Sequence, residues 1–408
     1  MPLSRQARAA FVLRSEATWD EPFSMYAELR RHDPVHYVAD GDYWVLSRHA
    51  DVLAAASDAA TFSSAQGLTV TYGELEAIGM ADHPPLVMQD PPAHTAFRRL
   101  VARGFTPRQV AAVQPQVQAF VTARLDELAA TPAGDPADIV DRLLKPLPSM
   151  VVAHYLGVPE SDRANFDAWT EAIVGATSAG GLGAAATTAA AATAEMAGYF
   201  ADLVNYRRSH PGEDTVSQLV SAGVADDDLL AVLAFTFTMV AGGNDTTTGL
   251  LGGGLALLAA APKQRRALAD DPGLIPEAVE ELLRLTCPVQ GLARTTTRAV
   301  TYAETPRGPV TIPAGKKVLL CYASANRDTD EYGPDAERLD ITRRPRNLLT
   351  FSHGHHHCLG AAAARMQATV TLTELLARFG NFAVDPGGIT WAAGNYVRRP
   401  TYVPFFPG

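Results

Sequence analysis

The segment DLLAVLAFTFTMVAGGNDTTTGLLGGGLALLAA, residues 228–260, constrains the fold more than any other part of the chain. It is apolar on most faces, so as a helix it belongs at the centre of a helical body, not on its surface. Yet Gly242 and Gly243 stand in its middle, followed by Asn244, Asp245 and three threonines. Each interior glycine costs about 1 kcal/mol relative to alanine. A carboxylate in a buried helix costs more unless it is hydrogen-bonded. Two readings follow. The glycines admit a neighbouring backbone at a kinked packing crossover, or the helix opens there and lets water or a ligand into its hydrogen-bond ladder. Threonine hydroxyls compete for backbone carbonyls, which suits the second reading. Asp245 next to Thr246 then sets an acid beside an alcohol, a pair able to pass protons.

Helical periodicity recurs at 22–31, 49–57, 93–103, 107–129, 138–156, 160–174, 184–209, 226–260 and 276–286, and a long helix starts near 359. Residues 34–47, PVHYVADGDYWVLS, read as two strands around the Asp40-Gly41 turn. Further strands are expected over 297–322 and in the glycine-punctuated tail 384–405. Residues 178–194, SAGGLGAAATTAAAATA, fit an alanine-rich helix after a glycine loop, or a mobile lid over a pocket. No composition break divides the chain. The fold class is mainly α with minor β, as one unit over 1–408.

With 47% hydrophobic residues the 408-residue chain has ample material for a core. Its formal charge of −10 argues against general nucleic-acid binding, which needs basic patches. Three scattered cysteines, Cys287, Cys321 and Cys358, make no disulfide framework and fit a reducing, cytoplasmic setting. The N-terminal apolar run AAFVL is too short for a signal-peptide core, and LLGGGLALLAAA (250–261) is shorter than the roughly 18 residues that span a bilayer. The expectation is a soluble protein with no membrane contact.

Two further patterns carry chemistry. IPEAVEELLRLTCP (275–288) is a helix bounded by prolines, with Glu281 and Arg284 three apart on one face. On an exposed helix such a pair is worth a few tenths of a kcal/mol. If it is internal, losing one partner costs about 3–5 kcal/mol. FSHGHHHCLG (351–360) gathers four histidines around Cys358. It reads as a zinc or copper site, as polar surface, or as a loop in which most of the histidines are bystanders.

GGNDTT (242–247), ELLR (281–284), ANRD (325–328) and FSHGHHHCLG (351–360) together resemble, in order and spacing, the cytochrome P-450 family. The last segment matches that family's cysteine loop FxxGxxxCxG at Phe351, Gly354, Cys358 and Gly360, and DPPAHTAFRRLVARGFTPR (90–108) is similar to its first haem-contacting helix. The similarity covers nearly the whole chain and is strongest to soluble actinobacterial members, mycobacterial ones among them. The resemblance implies a single cytochrome P-450 domain with haem between the central kinked helix and the cysteine-loop helix. It makes Cys358 the axial thiolate ligand of haem iron, beside a helix N-terminus that favours an anion. It assigns His94, Arg98, Arg294 and His356 to the haem propionates, with Phe351 and Gly360 shaping the cofactor site. Asp245 and Thr246 become the acid and alcohol beside the oxygen site. Glu281 and Arg284 become a structural ion pair, with Arg338 of DAERLD as third member. Departures from the family pattern are Ser352, where glycine is common, and His355 and His357 around the sulfur.

By the same resemblance the substrate faces the loop 64–88, the lid at 170–190, Val240 and Gly243 on the central helix, Val289 to Leu292, and the last hairpin at Tyr396. These mostly apolar and small residues imply a hydrophobic, medium-sized organic substrate. The implied reaction is insertion of one atom of O2 by hydroxylation or epoxidation. Its cofactor is haem b, with electrons from NAD(P)H through a separate ferredoxin and ferredoxin reductase, since no reductase domain is fused. Arg343, Arg344 and Arg346 are either solvated charge or a docking patch for an acidic ferredoxin. Three alternatives stay open: a peroxide-driven haem-thiolate oxygenase, a non-catalytic haem-binding protein, and a non-haem metal protein using the histidines.

Overall fold

The apolar residues of the central segment bury themselves by placing it inside a bundle. In the computed structural model, which describes residues 10–132, 134–178 and 184–407, the segment is one α-helix, Leu229–Ala260. Asp228 caps it by accepting the Ala231 amide at 3.0 Å. The helix runs unbroken, so the expected opening of its ladder is absent. Side chains bond back to the preceding turn instead. Asn244 Nδ2 donates to the Val240 carbonyl at 2.7 Å, Thr246 Oγ1 to Gly242 at 2.9 Å, and Thr248 Oγ1 to Asn244 at 3.1 Å. These groups share carbonyls with the backbone amides without displacing them. By length and composition the helix passes the threshold for a membrane span that residues 250–261 alone do not reach. Its buried face, from Val232 through Leu250 to Leu258, packs into the protein interior.

The helices Pro107–Ala129, Ala184–Ser209 and Ile275–Thr286 fall within a residue of their expected bounds. The region expected as a helix over 138–156 divides into a strand Ala137–Asp138, a π-turn Val140–Leu144 and a helix Pro146–Leu156. Pro146 has no amide to continue the preceding turn and is suited to begin a new helix. The Asp40-Gly41 hairpin joins Val35–Val38 to Tyr43–Leu46. These strands open a five-stranded sheet, continued by Lys317–Leu320 parallel to Tyr43–Leu46, then Leu292–Thr296, then Phe62–Ser63. A core of aliphatic residues fills the bundle and a second one lies on the sheet. Of the expected lid, residues 179–183 lie outside the described residues.

One polar knot joins the bundle to the cysteine loop. Glu281 and Arg284 are both fully buried and share two hydrogen bonds, Nε to Oε2 at 2.7 Å and Nη2 to Oε1 at 2.8 Å. Arg284 Nη1 donates to the carbonyls of Asn326 (2.7 Å) and Ala336 (2.6 Å). The third side chain is Arg343, whose Nε lies 3.1 Å from Glu281 Oε1; the expected Arg338 supplies only its carbonyl, 3.5 Å from Arg284 Nη2. The Arg338 side chain is exposed, whereas Arg343 lies between Glu281 and Asp335. Breaking the inner pair leaves a buried charge without its partner. We therefore expect Glu281→Ala to lower the unfolding free energy by about 3–5 kcal/mol in a denaturant titration. Arg343→Ala is expected to cost less, and Arg338→Ala to leave the midpoint unchanged.

Candidate haem-thiolate site

Three segments brought together by that knot build the site. Asn326 of ANRD holds the approach to the cysteine. Its Oδ1 accepts the Leu349 amide at 2.9 Å, and its Nδ2 donates to Thr350 Oγ1 at 2.8 Å. The loop then turns through Ser352 and Gly354, both at positive φ, +57° and +66°. A Cβ at Gly354 would sit 2.9 Å from the Ala56 carbonyl oxygen, so glycine is required for both φ and space. Ser352, where the family prefers glycine, has a hydroxyl 3.1 Å from Tyr322 Oη, an interaction that offsets part of its left-handed strain. The loop closes where the Cys358 amide donates to the Phe351 carbonyl at 2.8 Å. Arg365 lies over the Phe351 ring, 4.6 Å from its centroid, and is held there by Glu280.

Cys358 precedes the helix Ala361–Arg378, whose N-cap is Gly360. The side chain retains accessible surface although protein surrounds it on all sides, so the sulfur lies in a recess. Burial pushes its thiol up; the Gly360 amide, Arg98 and Arg365 pull the other way. The expected lowering by the helix terminus is present and is outweighed by desolvation. Leu359 packs into the apolar cluster that contains Phe235 and Val240, which sets the cysteine against the central helix.

Above this loop the structure gathers cationic and imidazole groups. His94 is buried, and its ring lies 4.3 Å from that of His356. Burial, then Arg98, push His94 down to about 4. Burial, then Arg294, push His356 down to about 3. Ser64 Oγ fixes the His356 ring through Nε2 at 3.1 Å. Arg98 donates to the His357 carbonyl, and Arg294 is buried on its strand. His94 Nδ1 is buried with no hydrogen-bond partner among the described residues. Two guanidiniums and two neutral imidazoles are thus gathered with one ring nitrogen still to be paired, an environment suited to ligand carboxylates. A soft thiolate below and anion-binding donors beside it fit haem, with its iron and its propionates. Among the described residues, a Cβ at Gly242 or at Gly360 would meet nothing within 4 Å.

The remaining sites divide. Thr246 stands one turn after Gly242, and Asp245 Oδ1 is 2.6 Å from Arg399 Nε, a partner with no local sequence signal. Val240 is fully buried among Val152, Phe235 and their neighbours, and a Cβ at Gly243 would lie 2.5 Å from Val152 Cγ2. Gly243 therefore faces the Pro146–Leu156 helix, and Val240 has no exposed surface; among the described residues a Cβ at Gly242 would meet nothing. Val289 forms a bridge to Val397, Leu292 opens its strand, and Tyr396 Oη accepts the Val70 amide at 3.0 Å, fixing the loop 64–88 to the last hairpin. Among the described residues no group of three or more His, Cys, Asp or Glu side chains forms a metal site, so the histidines of the loop do not converge on one. His355 and His357 are exposed.

Comparison with known proteins agrees with this geometry. A family signature described as Cytochrome P450 matches residues 273–389. The chain is 61% identical over 404 residues to Cytochrome P450 130 of Mycobacterium tuberculosis, covering 97% of each. It is 36% identical over 383 residues to the Vitamin D(3) 25-hydroxylase of Pseudonocardia autotrophica, covering 92% of this chain and 91% of that one. In structure it is similar to Cytochrome P450 PksS of Bacillus subtilis 168, with a TM-score of 0.84 and 30% identity over 98% of this chain and all of that one. The family uses haem b and O2 with electrons drawn from NAD(P)H through partner proteins. This chain belongs to the cytochrome P450 family and is a cytochrome P450 monooxygenase.

Proposed function

We propose that this enzyme inserts one oxygen atom of O2 into a hydrophobic, medium-sized organic molecule, by hydroxylation or epoxidation. The observation that carries the reading is the recessed Cys358 thiol beside the Arg98, Arg294, His94 and His356 cluster. In the proposed site Cys358 ligates the iron, and the two guanidiniums with the two imidazoles hold the propionates. When bound, the haem supplies the oxidising chemistry. The chain's own residues position and protonate. Thr246 stands on the open side of the central helix with its hydroxyl held by the Gly242 carbonyl, and Asp245 beside it relays protons. A carboxyl next to an alcohol suits O2 use over a peroxide-driven reaction, which needs no such proton delivery. The relative named for hydroxylating vitamin D(3) supports an apolar substrate.

Electrons come from a separate ferredoxin and its reductase in the cytoplasm. Arg343 is committed to Glu281 and Asp335, so the docking patch reduces to Arg344 and Arg346. Arg344 is 73% exposed although it touches Glu277. A small basic patch on a chain of charge −10 favours an acidic partner in one orientation.

Three outcomes test this reading. The reduced protein under carbon monoxide should show the long-wavelength absorption of haem-thiolate, and Cys358→Ala should abolish it; a colourless protein would sink the assignment. With a substrate found by displacement of the haem-bound water, Thr246→Ala should lower product per NAD(P)H by roughly 10²-fold while consumption continues. Reversing Arg344 and Arg346 to glutamate should slow ferredoxin-driven reduction by about tenfold at low salt and much less at high salt. An unchanged rate would remove the patch from the docking surface.

A further inference from the structure

Asp245 is held from the far end of the chain. Residues 398–400 lie directly on the central helix where it carries Gly249 and Gly252. A Cβ at Gly249 would come within 2.8 Å of the Arg398 carbonyl oxygen, and one at Gly252 within 2.5 Å of Pro400 Cγ. Positions 245, 249 and 252 share one helix face. The two glycines therefore admit residues 398–400, which lead into the strand Pro400–Tyr402, on the face that Asp245 occupies. The backbone of this segment is anchored on both sides: Arg398 N donates to the Pro288 carbonyl at 2.8 Å, and the Arg399 carbonyl accepts the Ala392 amide at 3.0 Å.

The two arginines make their contacts in different directions. Arg398 turns away, donating from Nε to the Trp19 carbonyl at 2.6 Å and lying 3.7 Å over the Trp391 ring. Arg399 turns toward the helix and brings Nε to 2.6 Å from Asp245 Oδ1, with the two side chains 11% and 15% exposed. The Nε–H is not aligned for a hydrogen bond, so the contact at this atom is an ion pair. A guanidinium stays protonated throughout the working pH range. It can fix a carboxylate and cannot exchange a proton with it.

We propose that Arg399 is a positioning residue for proton delivery: by pairing with Asp245 it fixes the carboxylate beside Thr246 and makes the C-terminal strand part of the relay's geometry. The inference rests on the relay reading of Asp245 and Thr246. Removing the guanidinium takes away the ion pair at Asp245 Oδ1 and leaves the sequence around Cys358 untouched.

The test uses the haem-loaded enzyme without substrate, reduced through a ferredoxin and its reductase, with O2 consumption and peroxide release measured in H2O and D2O. Arg399→Gln should slow O2 consumption several-fold, raise its solvent isotope effect and raise the share of O2 leaving as peroxide. Arg399→Lys, which keeps the charge, should restore most of all three. The carbon monoxide spectrum should match the parent in each variant, which verifies folding. Melting temperatures supply a readout independent of turnover: Asp245→Asn with Arg399→Gln should lose no more than the larger single loss. If Arg399→Gln lowers the melting temperature but leaves rate, isotope effect and peroxide share unchanged, the residue is a brace and the inference fails alone. If Asp245→Asn also leaves those three unchanged, the relay reading fails and the inference falls with it.

Discussion

The ion pair between Glu281 and Arg284 is the constraint on which the rest of the site depends. Both side chains are fully buried, which is tolerable only because Arg284 also reaches the carbonyls of Asn326 and Ala336 and Glu281 also meets Arg343 and the Asp340 amide. Those partners come from the segment that leads into the cysteine loop. Asn326 then carries the tether forward to Leu349 and Thr350. The sulfur is thus located by a chain of polar contacts rooted in a helix, and the loop itself needs little regular structure. This explains why a nearly irregular stretch, with two positive φ angles, can still hold its cysteine in one place.

The second organising feature is a division of labour among the groups beside the sulfur. The two imidazoles are driven toward neutrality by burial and by the neighbouring arginines. They serve as hydrogen-bonding groups, and the charge is left to Arg98 and Arg294. His94 Nδ1 is buried without a hydrogen-bond partner among the described residues, which is costly in a closed core. In the proposed site a haem propionate would supply that partner.

Much of this was legible in the sequence, for identifiable reasons. Long helices with clear periodicity and proline or cap boundaries fell where expected, because local propensity and burial agree there. The cysteine loop, the acid–alcohol pair and the glutamate–arginine pair are contiguous motifs, so a short window contains them. Arg343 in place of Arg338 was not legible: both are arginines near the same loop, and only the fold decides which turns inward. Arg399 was invisible because its meaning depends on glycines in another element. Gly242 and Gly243 look alike in the sequence, yet Gly243 faces Val152 and a Cβ at Gly242 would meet nothing among the described residues. The histidine run admitted several readings in the sequence, and the bystander reading fits the loop, where adjacent residues point apart.

The central helix therefore accepts added volume at some positions and refuses it at others. At 243, 249 and 252 a single methyl group would press on a neighbouring side chain or carbonyl, and the packing would have to move to receive it. At 242 a methyl group would meet nothing among the described residues, although Gly242 and Gly249 stand two turns apart on one face. Tolerance is thus a property of single positions and not of a whole side of the helix. A mutational scan of these glycines would read out this pattern as one permissive site among forbidden ones.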